Sequence, residues 1–252
     1  MNENYRSWTW DETVLAFELY CTIPSGKVTA TNDKIIALAQ AINRTPNSVK
    51  LKMQNFKTYD TSYTKNGRIG LSHGSKLDKE VVNQFLNDWN SMSISAAGIK
   101  ASLHISDDMD IPDAPVGYVK EQTVKVRMGQ SFFRRAVLSA YNSKCCITGI
   151  SIPELLTASH IKPWTVSDDA TEKTNPQNGL CLNAFHDRAF DRGFITVTSN
   201  YIIRVSSQIC NYTDEITTQW LNNYDGEEIA LPSRYAPKRE LLEYHNDVVF
   251  LR

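Results

Sequence analysis

The chain has 252 residues, enough for one large domain or two small domains that each bury a core. Hydrophobic residues make up 41% and charged residues 22%, as is usual for globular proteins, and no apolar run approaches the roughly 18 residues of a membrane span. The first residues lack the apolar core of a signal peptide, so we expect a cytoplasmic protein without membrane contact.

The net charge of −1 is distributed unevenly along the chain. Residues 1–70 carry nine Lys and Arg against six acids, and residues 120–144 carry six Lys and Arg against one acid. Basic patches on a nearly neutral protein favour a polyanion as partner, although a solvated surface would have a similar composition.

Residues 8–57 are predicted to form three short helices. Each helix follows a residue that caps helix N-termini well, namely Thr9, Asn32 and Thr45. A further amphipathic helix is predicted at residues 77–89, where apolar side chains recur at helical spacing. The N-terminal part of the chain is therefore expected to be helical.

The second and third of these helices are joined by a short turn, which is the layout of a helix-turn-helix. The third helix has a buried stripe, and on its open face it presents the side chains of Asn47, Lys50 and Gln54. Amides and cations on one helix face are suited to the edges of bases and to phosphates, so these three residues are predicted to contact DNA. The alternative is a three-helix packing domain that touches no DNA.

Composition divides the chain into two domains and a linker. Residues 1–90 are expected to form the helical domain, and residues 91–116, poor in large apolar side chains and with four acids, the linker. The second domain is expected at 117–252. It should begin with a strand or extended arm at 118–130 and a helix at 131–141.

The segment 146–193 places one histidine on a strand ahead of a helix with ligand-type side chains. His160 ends an apolar strand, Asn178 follows a loop, and the helix after them carries His186, Asp187 and Asp191. A histidine in an apolar strand is more often a packed core residue. Here, however, an imidazole that accepts a proton near neutral pH is followed by side chains that can hold a cation. Metal-assisted hydrolysis of a phosphodiester requires these two kinds of group.

Three motifs occur in order in this segment: A-x-H-I-x-P, N-G-L-x-L and H-x-x-x-F-D-x-G. Together they resemble those of the HNH nucleases, and of their restriction-type branch, over roughly residues 125–205. The resemblance implies an α+β protein, with an N-terminal helical, helix-turn-helix-like domain followed by a ββα-metal HNH nuclease domain. It implies an endonuclease that hydrolyses phosphodiester bonds of double-stranded DNA in restriction or phage defence.

The resemblance also assigns roles to two residues of the hairpin. His160 corresponds to the general base that takes a proton from the attacking water. Asn178 corresponds to an asparagine that ties down the loop and aims this histidine, although in some members it binds metal. Because short DNA sites are often bound by dimers, a homodimer is also considered.

A single divalent cation, with Mg²⁺ or Mn²⁺ favoured, is implied by the same resemblance. The helix ligands of the family correspond in position to Asp187 and Asp191, with His186 as an alternative ligand. One position departs from the pattern, because Ser159 stands where many members carry an Asp or His ligand.

Four cations near the hairpin resemble residues that contact phosphates: Arg127, Arg134, Arg135 and Lys162. Plain surface charge is the alternative for each. Two other functions stay open. One is a DNA-binding regulator or interaction protein with an inactive HNH unit, which the serine at 159 favours, and the other is an HNH nuclease that acts on RNA or single-stranded DNA.

Overall fold

A computed structural model describes residues 6–60, 74–105, 121–209 and 211–252, with side chains from residue 126 onward in the third range. The chain forms two compact units, Met1–Phe132 and Phe133–Arg252. Within the ranges described, no helix is both long and apolar enough to cross a bilayer.

The first unit is helical in the residues that the structure describes. Its helices are α1 (Trp10–Thr22), α2 (Asp33–Ala41), α3 (Pro46–Phe56), α4 (Lys76–Asn87), α5 (Trp89–Ser102) and the N-terminal part of α6 (Glu121–Ala140), with a 3-10 turn at Ser25–Lys27. The predicted caps are confirmed, since the side chains of Thr9, Asn32 and Thr45 each accept a hydrogen bond from the first turn of their helix.

Helix α1 lies at the centre of this unit, with every residue from Glu12 to Cys21 buried. Phe17 of α1 meets Phe56 of α3 edge to face, with ring centroids 5.3 Å apart. Val49 and Met53 are also fully buried, which confirms the predicted stripe of the third helix.

The predicted linker is wrong for its first part, because residues 91–102 belong to α5. The carboxylate of Asp88 caps this helix by accepting from the backbone N–H of Ser91 at 2.9 Å. Met92 and Ala96 are buried in the face that packs against α1. The small side chains that made the segment look like a linker allow this packing. Residues 106–116 lie outside the described residues.

The predicted strand at 118–130 is also wrong, because α6 begins at Glu121 and continues to Ala140. The apolar residues Val124, Val126 and Met128 alternate over too short a stretch to distinguish a strand from one side of a helix. Residues 118–120 are outside the described part of the chain.

The second unit is built from the C-terminal part of α6, small antiparallel sheets and short helices. Its elements are β1 (Leu156–His160), β2 (Gly179–Asn183), α7 (Ala184–Asp191), β3 (Ile195–Val197), β4 (Ile203–Val205), α8 (Glu215–Trp220), α9 (Arg239–Tyr244), a π-helical turn (His245–Val249) and 3-10 turns at Pro153–Leu155, Trp164–Val166, Pro176–Asn178, Ser207–Ile209 and Asn222–Tyr224. Strand β1 pairs with β2, with His160 opposite Gly179, and β3 pairs with β4. The order strand–strand–helix is therefore present.

The C-terminal segment packs onto the end of α7. The ring of His245 stacks on Phe190 at 3.7 Å between centroids, and Nε2 of His245 lies 3.2 Å from the Phe190 carbonyl oxygen. Gly193 has φ +73°, and a Cβ there would collide with the backbone of Val249. The phenylalanine and glycine of the third motif thus serve packing, which holds α7 in place.

Candidate active site

His160 is the last residue of β1, and its ring lies against α6. The ring stacks on Phe133 at 3.8 Å between centroids and 13° between planes. The residue opposite on β2 is Gly179, where a Cβ would lie 2.9 Å from Phe133 Cζ and closer still to Val137 Cγ2. The glycine of the second motif therefore leaves the space in which Phe133 covers the imidazole.

The hydrogen bonding of His160 determines which nitrogen can accept a proton. Nε2 lies 2.9 Å from the carbonyl oxygen of Lys173, and because a carbonyl only accepts, Nε2 carries the proton in the neutral ring. Nδ1 is then the basic nitrogen. Burial lowers the pKa of His160 to about 4, while the hydrogen bond to Lys173 acts in the opposite direction. The ring is therefore neutral at pH 7.

Asn178 ties down the loop between the two strands. Its side chain is fully buried, accepts from the backbone N–H of Lys162 at 2.8 Å and donates to the carbonyl oxygens of Lys162 and Glu172 at 3.2 and 3.3 Å. Its Nδ2 also lies 3.3 Å from Ser167 Oγ. These bonds fix the loop that carries the carbonyl of Lys173, so they support a positioning role for Asn178.

Asp187 and Asp191 lie four residues apart on α7 and share a face of that helix. Burial raises the pKa of Asp187, and the charge of Asp191 raises it further, while the nearby hydroxyls of Ser159 and Thr157 lower it. Partial desolvation raises the pKa of Asp191 against the lowering effect of two neighbouring arginines. Asp187 thus faces β1, and Asp191 lies close enough for its charge to act on Asp187.

These residues fit a hard divalent cation. Ser159 Oγ is buried and makes no hydrogen bond of ordinary geometry to any described residue. Two carboxylates and a hydroxyl offer only oxygen donors, which Mg²⁺ and Mn²⁺ prefer, and Mg²⁺ commonly keeps several waters beside one or two carboxylates. In the part of the chain that the structure describes, no three His, Cys, Asp or Glu side chains cluster as metal ligands.

The structure does not place His160 and the acid pair on one side of the hairpin. Successive residues of a strand point to opposite faces, so Ser159 faces α7 while His160 faces α6. The two groups are adjacent at the end of β1, one residue apart in sequence. A phosphate that contacts both His160 and a cation held by the acid pair would therefore lie at the C-terminal end of β1.

The structure gives His186 a packing role, because both of its ring nitrogens have hydrogen-bond partners, and its role as a metal ligand stays a prediction. Nδ1 lies 2.9 Å from Asn183 Nδ2, and Nε2 lies 2.7 Å from the carbonyl oxygen of Trp220. The ring is buried between the side chains of Trp220 and Tyr224. His186 joins α7 to the segment around α8, a contact 34 residues away along the chain.

Two of the predicted phosphate-binding cations have partners inside the fold, and their contact with DNA stays a prediction. Arg134 donates to the carbonyl oxygens of Leu156 and Pro153 at 2.7 and 3.3 Å and so anchors the start of β1. Lys162 pairs with Glu172 at 2.6 Å between Nζ and Oε2. Arg127 and Arg135 are half-buried on α6, and their contact with DNA stays a prediction.

On α3, Asn47 is exposed and Lys50 and Gln54 are half-buried, away from the buried stripe. Part of the positive charge of residues 1–70 is neutralised by an ion pair within the first unit. Lys52 forms a buried ion pair with Asp78, a residue outside that range. Counting charges along the sequence could not reveal this pairing.

A comparison with protein families gives one match. Residues 145–198 match the model of a family described as HNH endonuclease, about a fifth of the chain. No curated protein matches the chain. The match lies in the second unit and includes His160, Asn178, Asp187 and Asp191. It supports an HNH unit there and, at the level of the family, nuclease activity on a nucleic acid.

Proposed function

We propose that the protein is a metal-dependent HNH endonuclease that hydrolyses phosphodiester bonds of double-stranded DNA in restriction or phage defence. The observation that carries this proposal is His160, a neutral imidazole held by the carbonyl of Lys173 and one residue from a hydroxyl that faces the carboxylate of Asp187. The family match supports nuclease chemistry. Double-stranded DNA and the role in defence rest on the resemblance of the three motifs.

In the proposed reaction, Nδ1 of His160 takes a proton from water, and the oxygen of that water attacks phosphorus. The P–O bond to the leaving oxygen breaks with its electron pair on that oxygen, which then takes a proton from a second water. Phe133 and the Lys173 carbonyl hold the ring in one orientation, so that the base needs little reorganisation. By resemblance, the products carry 5′-phosphate and 3′-hydroxyl ends.

Asp187 and Asp191 would hold one divalent cation, with Ser159 Oγ as a further oxygen donor. When bound, this cation neutralises charge on the phosphate and on the leaving oxygen. Ser159 would thus act as a neutral donor where relatives carry a stronger ligand.

Asn178 positions the base in this proposal. Its side chain holds both ends of the loop that presents the Lys173 carbonyl to His160. DNA contact by Asn47, Lys50 and Gln54 of α3 belongs to the same proposal and would place the helical unit on the substrate.

The test is incubation of the full-length protein with supercoiled plasmid, single-stranded DNA and RNA, each with Mg²⁺, with Mn²⁺ and with EDTA. Plasmids with and without modified bases should both be used. We expect nicking or linearisation of plasmid that requires the cation. Cleavage of RNA or single strands alone would establish that alternative instead, and tight DNA binding without cleavage of any substrate would favour an inactive unit in a regulator.

A further inference from the structure

A cleft of about 700 Å³ lies beside α7 in the second unit. Its lining comes from α7, from Arg192 and Phe194 after the end of that helix, and from residues 208, 209, 212, 217 and 221. Phe185, Phe194 and Ile209 are among its apolar residues. Its size is that of sites for small molecules or for a single nucleotide. The proposed reaction does not use this cleft.

Two arginines, Arg188 and Arg192, line the cleft and are exposed. They lie four residues apart, so both side chains project from one face of α7. In the described ranges neither forms an ion pair with an acid, and no acidic residue lines the cleft. Guanidinium groups bind phosphates in bidentate fashion, so this face has the charge that a phosphate requires.

Aromatic side chains complete the lining. Tyr212 is 61% exposed and Phe185 is 45% exposed, so both present ring surface to solvent. Gln208 adds an exposed amide that can donate and accept hydrogen bonds. Exposed rings beside arginines and an amide match a planar base joined to a phosphate, because bases stack on aromatic rings irrespective of sequence.

The cleft is adjacent to the proposed metal site along the helix. Arg188 and Arg192 each follow directly after one of the two carboxylates, Asp187 and Asp191. The positive charges of both arginines act on Asp191. A strand that passes the acid pair would therefore run within reach of these arginines.

We propose that this cleft binds one nucleotide of the substrate strand next to the cleaved phosphate, with its base out of the duplex. The base stacks on Tyr212 and Phe185, and the neighbouring phosphates bind Arg188 and Arg192. This inference rests on the proposed nuclease function. A base that is already unpaired avoids the unstacking cost, so the cleft should favour DNA with a disrupted pair.

The test measures DNA binding by the full-length protein in EDTA, which prevents cleavage. Two fluorescein-labelled short duplexes are compared by anisotropy, one fully paired and one with a single mismatch, and a third carries 2-aminopurine at the mismatch to report stacking. The variants are Tyr212→Ala and Arg192→Gln. Tyr212→Phe keeps the ring, and Arg204→Gln removes a cation from elsewhere in the same unit.

The parent protein should bind the mismatched duplex more tightly and quench 2-aminopurine. Tyr212→Ala and Arg192→Gln should weaken this binding on the order of 10-fold and remove the preference, whereas Tyr212→Phe and Arg204→Gln should retain it. No preference in the parent, or full preference in both cleft variants, would overturn the inference. If the cleft variants lose the preference but the parent cuts nothing with Mg²⁺ or Mn²⁺, the cleft stands and the nuclease proposal fails.

Discussion

At the residue scale, the surroundings of His160 decide what its imidazole can do. A solvent-exposed histidine would be partly protonated near pH 6.5, whereas burial lowers the pKa of this one to about 4. The base form is therefore fully populated at neutral pH. The carbonyl of Lys173 supplies the orientation, and a main-chain group of this kind has no signature in a sequence.

His160→Ala should therefore reduce the cleavage rate by about 10²- to 10⁴-fold, the usual contribution of a general base, and leave DNA affinity nearly unchanged. His160→Gln should be equally inactive, since an amide can donate to Lys173 but cannot act as the base. Cleavage rates at saturating Mg²⁺ and DNA affinity in EDTA would be measured together. Cleavage near the parent rate by a folded His160→Ala protein would remove this residue from the role.

Asp187→Asn and Asp191→Asn should each weaken metal binding and raise the Mn²⁺ concentration needed for activity, because each removes a charged oxygen ligand. His186→Gln serves as a comparison on the same helix. It should lower thermal stability by breaking the bond to Trp220 but leave the Mn²⁺ midpoint unchanged. Calorimetric Mn²⁺ titration measures the affinities, and the reverse ranking would identify His186 as the ligand.

At the element scale, the packing of α6 on the hairpin depends on the glycine of the second motif. Gly179→Ala would place a methyl group against Phe133 and Val137, and the resulting overpacking should destabilise the fold by roughly 1–3 kcal/mol. Gly98→Ala is the matched control, because its Cβ meets nothing within 4 Å and it lies inside α5. That change should be neutral or stabilising by up to about 1 kcal/mol.

Urea unfolding of both variants measures these differences. Gly179→Ala should also reduce cleavage, since Phe133 can no longer lie flat on His160. A Gly179→Ala protein as stable and active as the parent would show that this close approach does not hold the imidazole.

Helix α3 offers a separate test of the proposed DNA contacts. Lys50→Ala should weaken binding to all sequences alike and lower the salt slope by about one, as expected for a phosphate contact. Gln54→Ala should instead reduce discrimination between sites, by roughly 1–3 kcal/mol if the amide binds a base in bidentate fashion. Binding isotherms at several salt concentrations separate the two effects. If neither variant alters binding, the first unit is a packing or partner domain.

The sequence predicts those helices whose ends are fixed by a capping residue and whose buried face is marked by large apolar side chains at helical spacing. The caps at Thr9, Asn32 and Thr45 and the stripe of α3 are confirmed for that reason. Helix α5 was missed because its buried residues are small, and the start of α6 because a short alternation also fits one side of a helix. These failures concern segments where tertiary packing, and not local preference, selects the conformation.

In the candidate site, too, the sequence identified some features and could not identify others. Spacing along the chain found His160, Asn178 and the acid pair, because motif positions are sequence information. It could not show that His186 bonds to Trp220 in a distant segment, or that Arg134 bonds to a main-chain carbonyl inside the fold. Contacts between segments far apart in sequence decide which polar side chains are available to a ligand.

At the scale of the whole molecule, the two units differ in the ionisable groups that they bury. The second unit holds three histidines whose pKa is lowered by burial: His160 and His245, each to about 4, and His186. In the first unit, hydrogen bonds and charge from Arg44 and Arg6 outweigh burial and lower the pKa of Glu12 below its usual value of 4.5. The two units should therefore respond to acid in different pH ranges.

Between pH 6.5 and about 4, the unfolded chain protonates these three histidines, while the folded second unit keeps His160 and His245 neutral and protonates His186 at a lower pH than the unfolded chain does. Its stability should thus be complete above pH 6.5 and fall as the pH decreases, by about 1.4 kcal/mol per pH unit for each histidine that stays neutral in the folded unit. The raised pKa values of Asp187 and Asp191 act in the opposite direction and reduce the observed slope at the acid end. The contribution of Glu12 to the first unit is present above pH 4.5 and is lost only below it.

Hydrogen exchange of the full-length protein, followed by mass spectrometry, can report each unit separately. From pH 6.5 to 4.5, after correction for intrinsic exchange rates, protection in the second unit should fall while that in the first stays constant. His245→Gln, which leaves the proposed catalytic groups intact, should reduce the slope of the second unit by about 1.4 kcal/mol per pH unit. Because His245 is buried against Phe190 and Thr196, the variant should also be less stable at pH 7, and the slope is the quantity to compare. An unchanged slope in His245→Gln would show that His245 is not a source of the acid sensitivity.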